Sequence, residues 1–555
     1  MKNLRPLKLL IFSLVLALVI VACSSEPQVV EVTRVVTETE TVVEEVEVQV
    51  EVTREVEVVQ LQEIETEVVV TQVVEVVPEY VPEGTLRHAH SVNFLNWDPH
   101  KDQRTISLQY LNPVYEGLLR EANDGQSFIP ELATSWEEDE SGVTFFLREG
   151  VTFHDGTPFD SSVVVANFDR VKEVGHPVNR GFLRNVESAE AIDDLTVRFN
   201  YSQFDGTVLL TLSRFSGKQI SPAVFDTVSE NSPVGTGPYI YNADDSNPDN
   251  TFMAYDYNPS YWNSNAQPVA RFEISMITDQ AAHVNGILTD EFDTTQVSVL
   301  PLIAQMEQAG MITSLSPAVG WSMHILDRTG TIVPELADER VRRAMAYAVD
   351  RDAYWQVVNV GFKSTQHALP GGYAFSEDIE NLEFDMDKAM ELMAEAGNPT
   401  FTVDVPSFGG FNPRNAFFAS SWEPLGITLN IVEVNNIFGA CTQGEGDFAM
   451  GICPINERHI KHFVENRLLE GGFLNPFGHV DQEIEDLYAQ TVGLPLDEAE
   501  PIYAEIARLS AERGYIIHLG WASSPVQFNP NNVSGVQVRF IYPGTYYIGD
   551  VLLRE

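Results

Sequence analysis

An abrupt change of composition near residue 78 limits what this chain can fold into more than any other feature. Between residues 29 and 77, 21 of 49 residues are Val and 13 are Glu, with no Gly, Pro, Asp or Asn. A segment so biased cannot build a mixed core. Alternation at Val46, Val48, Val50 and Val52 favours an extended, strand-like stretch. A heptad reading through Val29, Val32, Val36, Thr39, Val43, Val46 and Val50 also exists, but it breaks at Glu57. The segment reads as a spacer that lifts a globular body off a surface, with self-association through strands or a coiled coil as the alternative. Its exposed β-propensity makes the isolated stretch prone to aggregate. Pro78 and Pro82-Glu83-Gly84 end it.

Ahead of the spacer, Lys2, Arg5 and Lys8 precede an apolar run over 9–22 that stops at Cys23-Ser24-Ser25. A basic start and a run this short suit an export signal better than a transmembrane helix. Ile20-Val21-Ala22-Cys23 resembles a bacterial lipobox, which makes 1–22 a lipoprotein signal peptide and Cys23 the lipidated first residue of the mature chain. An ordinary signal peptide with a chance cysteine is the alternative. No second stretch of about 18 apolar residues follows. Two cysteines remain, Cys441 and Cys453, twelve apart. In an oxidising exterior they could close a short loop as a disulfide, or stay as two buried thiols; a metal pair without further sulfur ligands is least favoured.

Net charge removes one large class of function. Lys+Arg 33 against Asp+Glu 81 gives −48, and neutralising phosphates requires clustered Lys and Arg, so no nucleic-acid partner is expected. At 555 residues and 44% hydrophobic content the chain has room for three or four units with large cores. Residues 143–147 and 195–199 read as strands. Residues 340–350, 385–396 and 496–513 read as helices, the second closed by Gly397-Asn398-Pro399, the third capped by Asp497 and closed by Gly514. Interleaved helices and strands over some 470 residues indicate α/β layers.

Enzymatic signatures are missing. The chain has no phosphate-binding Gly-Lys-Ser/Thr loop, no Gly-x-Gly-x-x-Gly fingerprint, no Gly-x-Ser-x-Gly elbow and no His-Glu-x-x-His zinc helix. Gly235-Thr236-Gly237-Pro238 reads as a tight turn into Tyr239-Ile240-Tyr241, since its proline removes an amide. His154-Asp155-Gly156 could suggest acid–base work but reads as a turn after a strand, with His154 capping locally. His459 and His462, followed by His479, could face a metal from a helix, yet such pairs are common without one, so neither metal nor cofactor is expected.

Several blocks, in order, resemble the extracytoplasmic solute-binding proteins of ABC importers, the peptide/nickel-binding family 5. They are Asn96-Trp97-Asp98-Pro99-His100, Val114-Tyr115-Glu116-Gly117-Leu118-Leu119, and Pro130-Glu131-Leu132-Ala133-Thr134-Ser135-Trp136. The most diagnostic is Leu147-Arg148-Glu149-Gly150-Val151-Thr152-Phe153-His154-Asp155-Gly156-Thr157-Pro158-Phe159. Ser232-Pro233-Val234-Gly235-Thr236-Gly237-Pro238-Tyr239, Asn258-Pro259-Ser260-Tyr261-Trp262 and the 341–351 helix follow. Asp387-Lys388-Ala389, Ala396-Gly397 and Trp422-Glu423-Pro424-Leu425-Gly426-Ile427 complete the run, which spans essentially all of 86–555.

The resemblance implies an α/β, two-lobe periplasmic-binding-protein fold of type II, in its large cluster C form, with an inserted third domain. The lipoprotein signal and the Val/Glu-rich stalk (23–83) would precede it. Lobe I would combine 86–125, 223–315 and 516–555; the insert would be 126–222 and lobe II 316–515. Ligand would lie in a hinged interlobe cleft. The partners implied are a peptide or small-molecule ligand, the permease subunits with their ATPase, and the membrane that holds the lipid. Asn93 and Gln296 would line lobe I, and Trp321, Asn435, Met450, Cys453 and Asn456 lobe II, with Phe408 and Trp521 as further aromatic candidates. Asp98, Tyr115, Gly237 and Arg342 read as scaffold. In peptide-binding members an aspartate after a Gly-Trp block in lobe II pairs with the peptide's α-ammonium. The corresponding run here, 446–457, lacks the Trp and places Asn456 or Glu457 at that position. Capture of a peptide amino group would then fall to Glu457, and a sugar oligomer or another polar solute fits equally. A surface adhesion or sensory protein that keeps this fold and self-associates through its stalk is the alternative function.

Overall fold

The computed structural model describes residues 81–555, apart from 93, 123–126, 229–232, 264–265, 267–268, 358–360, 366, 368–372, 376–381, 409–411, 443–447, 454–458, 537–551 and 554–555. The export signal, Cys23, the Val/Glu stretch, Asn93, Asn456 and Glu457 lie outside the described residues. Among the described residues no helix is long and apolar enough to cross a membrane.

A mixed nine-stranded sheet forms the spine. Its strands run in the order Met450–Ile452, Ile312–Ile325, Ile516–Phe528, Thr294–Thr295, Thr85–His90, Arg271–Met276, Phe252–Tyr257 and Tyr239–Asn242, with Gly361–Lys363 paired to Ile516–Phe528. Thr85–His90 is parallel to both of its neighbours; the other pairs are antiparallel.

Two strands in this sheet are unusually long, 14 and 13 residues, or about 45 Å at the usual rise. They pair from Ile312 opposite Phe528 to His324 opposite Ile516, and the ladder slips between Pro317 and Val319 and again between Trp321 and Ser322. Val526 and Phe528 pack in one apolar core with Leu86, Trp97, Tyr115, Tyr239, Tyr255 and Phe272. Met323, Ile325, Ile517 and Leu519 pack in another with Met345, Trp422, Val405 and Met450. Strand Ile516–Phe528 thus serves both cores, Met323 and Ile325 of its partner pack in the second, and the pairing breaks register between the two ends. Bulges bend a ribbon locally, and both register breaks fall between the ends of this ribbon.

The inserted segment has its own core. Ala133–Asp139, Gly142–Leu147, Thr196–Tyr201 and Val186–Asp193 form an antiparallel sheet in that order. Helix Ser161–Val174 covers it, because Val163, Val164, Phe168 and Val171 recur at helical spacing on one face, while Asp160 accepts the Val163 amide at 3.1 Å to start the helix. Asp98 ties this helix to the first lobe: both its oxygens meet Arg170, at 2.6 and 3.0 Å, in a buried pair. In the second lobe a parallel pair, Phe401–Ser407 and Ile427–Glu433, is joined by helix Asn412–Trp422.

Two local expectations need correction. Helix Leu496–Glu512 starts one residue before Asp497, whose carboxylate therefore sits in the first turn beside the helix dipole; the capping position holds Pro495 and makes no side-chain bond. His154 does not cap locally: its Nε2 lies 2.9 Å from the Gly237 carbonyl, joining the two blocks 83 residues apart. Gly235 and Gly237 allow this turn to press against Pro113 and Val114, because a Cβ at either position would come within 2.5 Å of their carbonyl oxygens.

Candidate ligand-binding site

A cavity of about 420 Å³ opens between the inserted segment and the second lobe, a size that suits a small ligand. One wall is helix Pro177–Phe182 and Arg184; the other is Thr442, Glu465, Asn466 and the turn Gly471-Gly472-Phe473. The first wall is positioned by His176, whose Nδ1 accepts the Val178 amide at 3.2 Å to begin the helix. Buried Asn179 then anchors the helix to the first lobe by donating to the His100 and Asp102 carbonyls. The second wall depends on Gly472, where a Cβ would stand 2.5 Å from the Asn466 carbonyl; only glycine lets the turn close onto helix Ile460–Arg467. Behind Phe473 lies the bonded pair Cys441–Cys453, packed with Leu326 and Leu474.

The lining is apolar on Phe182, Phe473, Pro177 and Val178, and it carries both signs of charge. Arg184 pairs with Glu465, which also accepts the Tyr488 hydroxyl and has Lys461 at 3.7 Å. Lys461 reaches back to Asp205 of the insert at 2.5 Å. Burial pushes the Asp205 carboxyl up, but the Lys461 charge and hydrogen bond outweigh it and hold the group well below the usual carboxylate range. Burial and the adjacent Lys461 push His462 far down, so its ring is neutral where it stacks on Phe182 at 4.1 Å. Among the described residues no three His, Cys, Asp or Glu side chains gather as metal ligands; His459 instead starts helix Ile460–Arg467 by accepting the Lys461 amide.

The residues expected from the sequence are placed elsewhere. Met450 is fully buried in the second lobe's core, and Cys453 is closed into the disulfide, so both support a wall rather than form its surface. Phe408 is exposed, as is Asn435. Trp321 and Trp521 are half-buried, but Gly320 lies opposite Trp521 and Trp321 opposite Gly520, so strand alternation puts the two rings on opposite faces of the long ribbon. Trp321 stacks under the Arg414 guanidinium at 3.7 Å; Trp521 has His367 at 5.6 Å. Gln296, just past strand Thr294–Thr295, is buried with its Nε2 unpartnered among the described residues. The cavity residues themselves carried no motif. The pairing of 177–184 with the Gly471-Gly472-Phe473 turn is not encoded in local spacing.

Residues 127–455 match the profile described as "Bacterial extracellular solute-binding proteins, family 5 Middle". The chain belongs to this family. Such proteins are binding components of transport systems, not enzymes. Heme-binding protein A of Haemophilus influenzae is 27% identical to this family 5 protein over 390 residues, 61% of this chain and 68% of that one. The glutathione-binding protein GsiB of Escherichia coli K12 is 26% identical over 318 residues, a match that spans 55% of this chain and 60% of that relative's length. The ABC transporter-associated periplasmic binding protein DppA from Helicobacter pylori, in complex with peptide STSA, superposes with a TM-score of 0.72 at 20% identity, covering 85% of this chain and 99% of that one. The fold is accordingly the two-lobe periplasmic-binding-protein fold of this family.

Proposed function

We propose that this family 5 protein is the extracytoplasmic capture component of an ABC importer, tethered through a lipid on Cys23 and holding a peptide or similar polar solute between its lobes for delivery to a permease. The observation that carries the reading is strand Ile516–Phe528, which packs in two separate cores while its ladder with Ile312–Ile325 breaks register between them. A hinge of this kind is a two-state element, which only a ligand with better contacts in the closed form can bias. The cavity between the insert and the second lobe combines aromatic surface with both signs of charge, as a zwitterionic solute requires. Gln296, outside that lining, holds a buried amide donor on the first lobe. In the same reading, lobe I combines 86–125, 223–315 and 516–555, the insert is 126–222, and lobe II is 316–515.

The test is thermal unfolding of residues 82–555, which form one compact unit, against peptides, glutathione, haem, oligosaccharides and metal ions. A ligand at 100 times its Kd adds about 2.7 kcal/mol. An upshift with one class establishes capture and names the solute; a well-folded sample that shifts with none overturns the reading. Membrane fractionation of the Cys23→Ala chain tests the tether, which predicts its release.

A further inference from the structure

The inserted segment and the second lobe have no direct chain connection; the covalent path between them runs through the first lobe and enters the second along strand Ile312–Ile325. Their cores share no residue. They meet across a contact in which ion pairs sit beside the stacked Phe182 and His462 rings. Lys461 bonds to Asp205, Arg184 to Glu465, and Thr207 Oγ1 lies 3.3 Å from His462 Nε2. Side-chain exposure is 2% at Asp205, 12% at Lys461, 6% at Glu465 and 47% at Arg184.

We infer that this network is an electrostatic latch that sets the balance between open and closed forms, with the insert acting as a third jaw on lobe II. The inference rests on the hinged-capture reading above. A contact that must come apart at every cycle is poorly served by apolar surface, which would bind the jaws permanently and stay sticky when exposed. Buried ion pairs behave differently. Their mutual attraction is nearly cancelled by the water they give up, so both states stay accessible. Each half is also wettable on its own. Removing one partner breaks the balance, because the other is left buried and uncompensated. Lys461 is the pivotal group: it touches Asp205 of the insert and lies beside Glu465 of its own lobe. Arg184 and Glu465 also line the 420 Å³ cavity, so a ligand there contacts the latch itself.

The experiment measures label-to-label distances in the full chain without ligand. One pair sits at exposed Glu187 and Gln490, across the latch, and a second at exposed Asn247 and Gln490, across the hinge. Lys461→Met should raise the long-distance population of the first pair at least fivefold, and 0.5 M salt should do the same more weakly in the unsubstituted chain. Adding Asp205→Asn and Glu465→Gln to Lys461→Met should restore the short distance, because no buried charge is then left unpaired on the lobe II side. Arg184→Gln, at a half-exposed position, should shift the first pair in the same direction, and it carries the test if Lys461→Met does not fold. If both pairs show two distances that neither variant nor salt redistributes, the latch is overturned and the hinge stands. If every sample shows one distance in both pairs, latch and hinged capture fall together.

Discussion

Asp98 and Arg170 clamp the inserted segment to the first lobe through two parallel hydrogen bonds, at 2.6 and 3.0 Å, both groups almost wholly removed from water. Arg170 sits on the helix that covers the insert's sheet, and Asp98 starts the short turn Pro99–Lys101 that packs beneath it. Breaking such a pair from one side strands a buried charge. Asp98→Ala should therefore cost about 3–5 kcal/mol of unfolding free energy. Asp98→Leu combined with Arg170→Leu should cost clearly less than Asp98→Ala. Urea unfolding of the three proteins checks the order; equal losses would show that the ionic pairing is not what matters.

Gln296 carries a different signature, a buried amide donor without a partner among the described residues. An unmet donor costs about 1–3 kcal/mol, and the cost disappears if the group becomes apolar or if a ligand accepts from it. Gln296→Leu should leave the unliganded protein as stable or more so, while weakening the ligand found in the melting screen about tenfold. Loss of stability together with unchanged affinity would make Gln296 a purely structural residue.

The bond between Cys441 and Cys453 closes a short loop against the cavity wall. A cross-link over a dozen residues restrains the unfolded chain by about 3 kcal/mol. The double Cys441→Ser, Cys453→Ser chain should melt at correspondingly lower stability, and a reducing agent should lower the natural chain toward the same value without affecting the double variant.

Acid should destabilise the body well before its carboxylates protonate. Of the 12 histidines, eleven have pKa values pushed below the ordinary value, burial being the first cause in every case. His90 and His459 fall to about 3, and His100 and His479 to about 4. Between these values and about 6.5 the unfolded chain binds protons that the folded chain refuses. Stability is therefore full above pH 6.5 and falls as pH drops, by up to about 1.4 kcal/mol per pH unit for each such histidine. Glu116, raised by burial and by its neighbour Glu131, and Glu138, raised by burial, work in the opposite sense but are two groups against eleven. Unfolding free energies at pH 7.5, 6 and 5 should decline steeply; a flat profile would mean the histidines are protonated in place.

How far the sequence could be read differed by level. Strands Gly142–Leu147 and Thr196–Tyr201 and helices Glu339–Tyr347 and Met386–Glu395 were legible, because periodicity, an Asp at the N-cap and Gly397 at φ +90° are local signals. Asp98 read as scaffold, yet its partner Arg170 could not be named, since nothing local links residues 72 apart. Met450 and Cys453 were drawn to the ligand surface by their place in a family block. Which way they face is decided by a three-residue strand whose pairing with Met323–Ile325 only the assembled sheet reveals. The same holds for Trp321 and Trp521, which share a ribbon but not a face.

The sequence by itself determined an α/β chain whose ordered blocks resemble the family 5 solute-binding proteins, because punctuation and block order are properties of consecutive residues. Tertiary structure decided where it could hold a ligand. The cavity and the latch both join residues 177–207 to residues 442–473, segments kept apart in sequence by an entire lobe. Such contacts depend on how three cores settle against one another and on which charges are buried together. No local pattern encodes that, because the energy of an ion pair is set by the water its surroundings exclude.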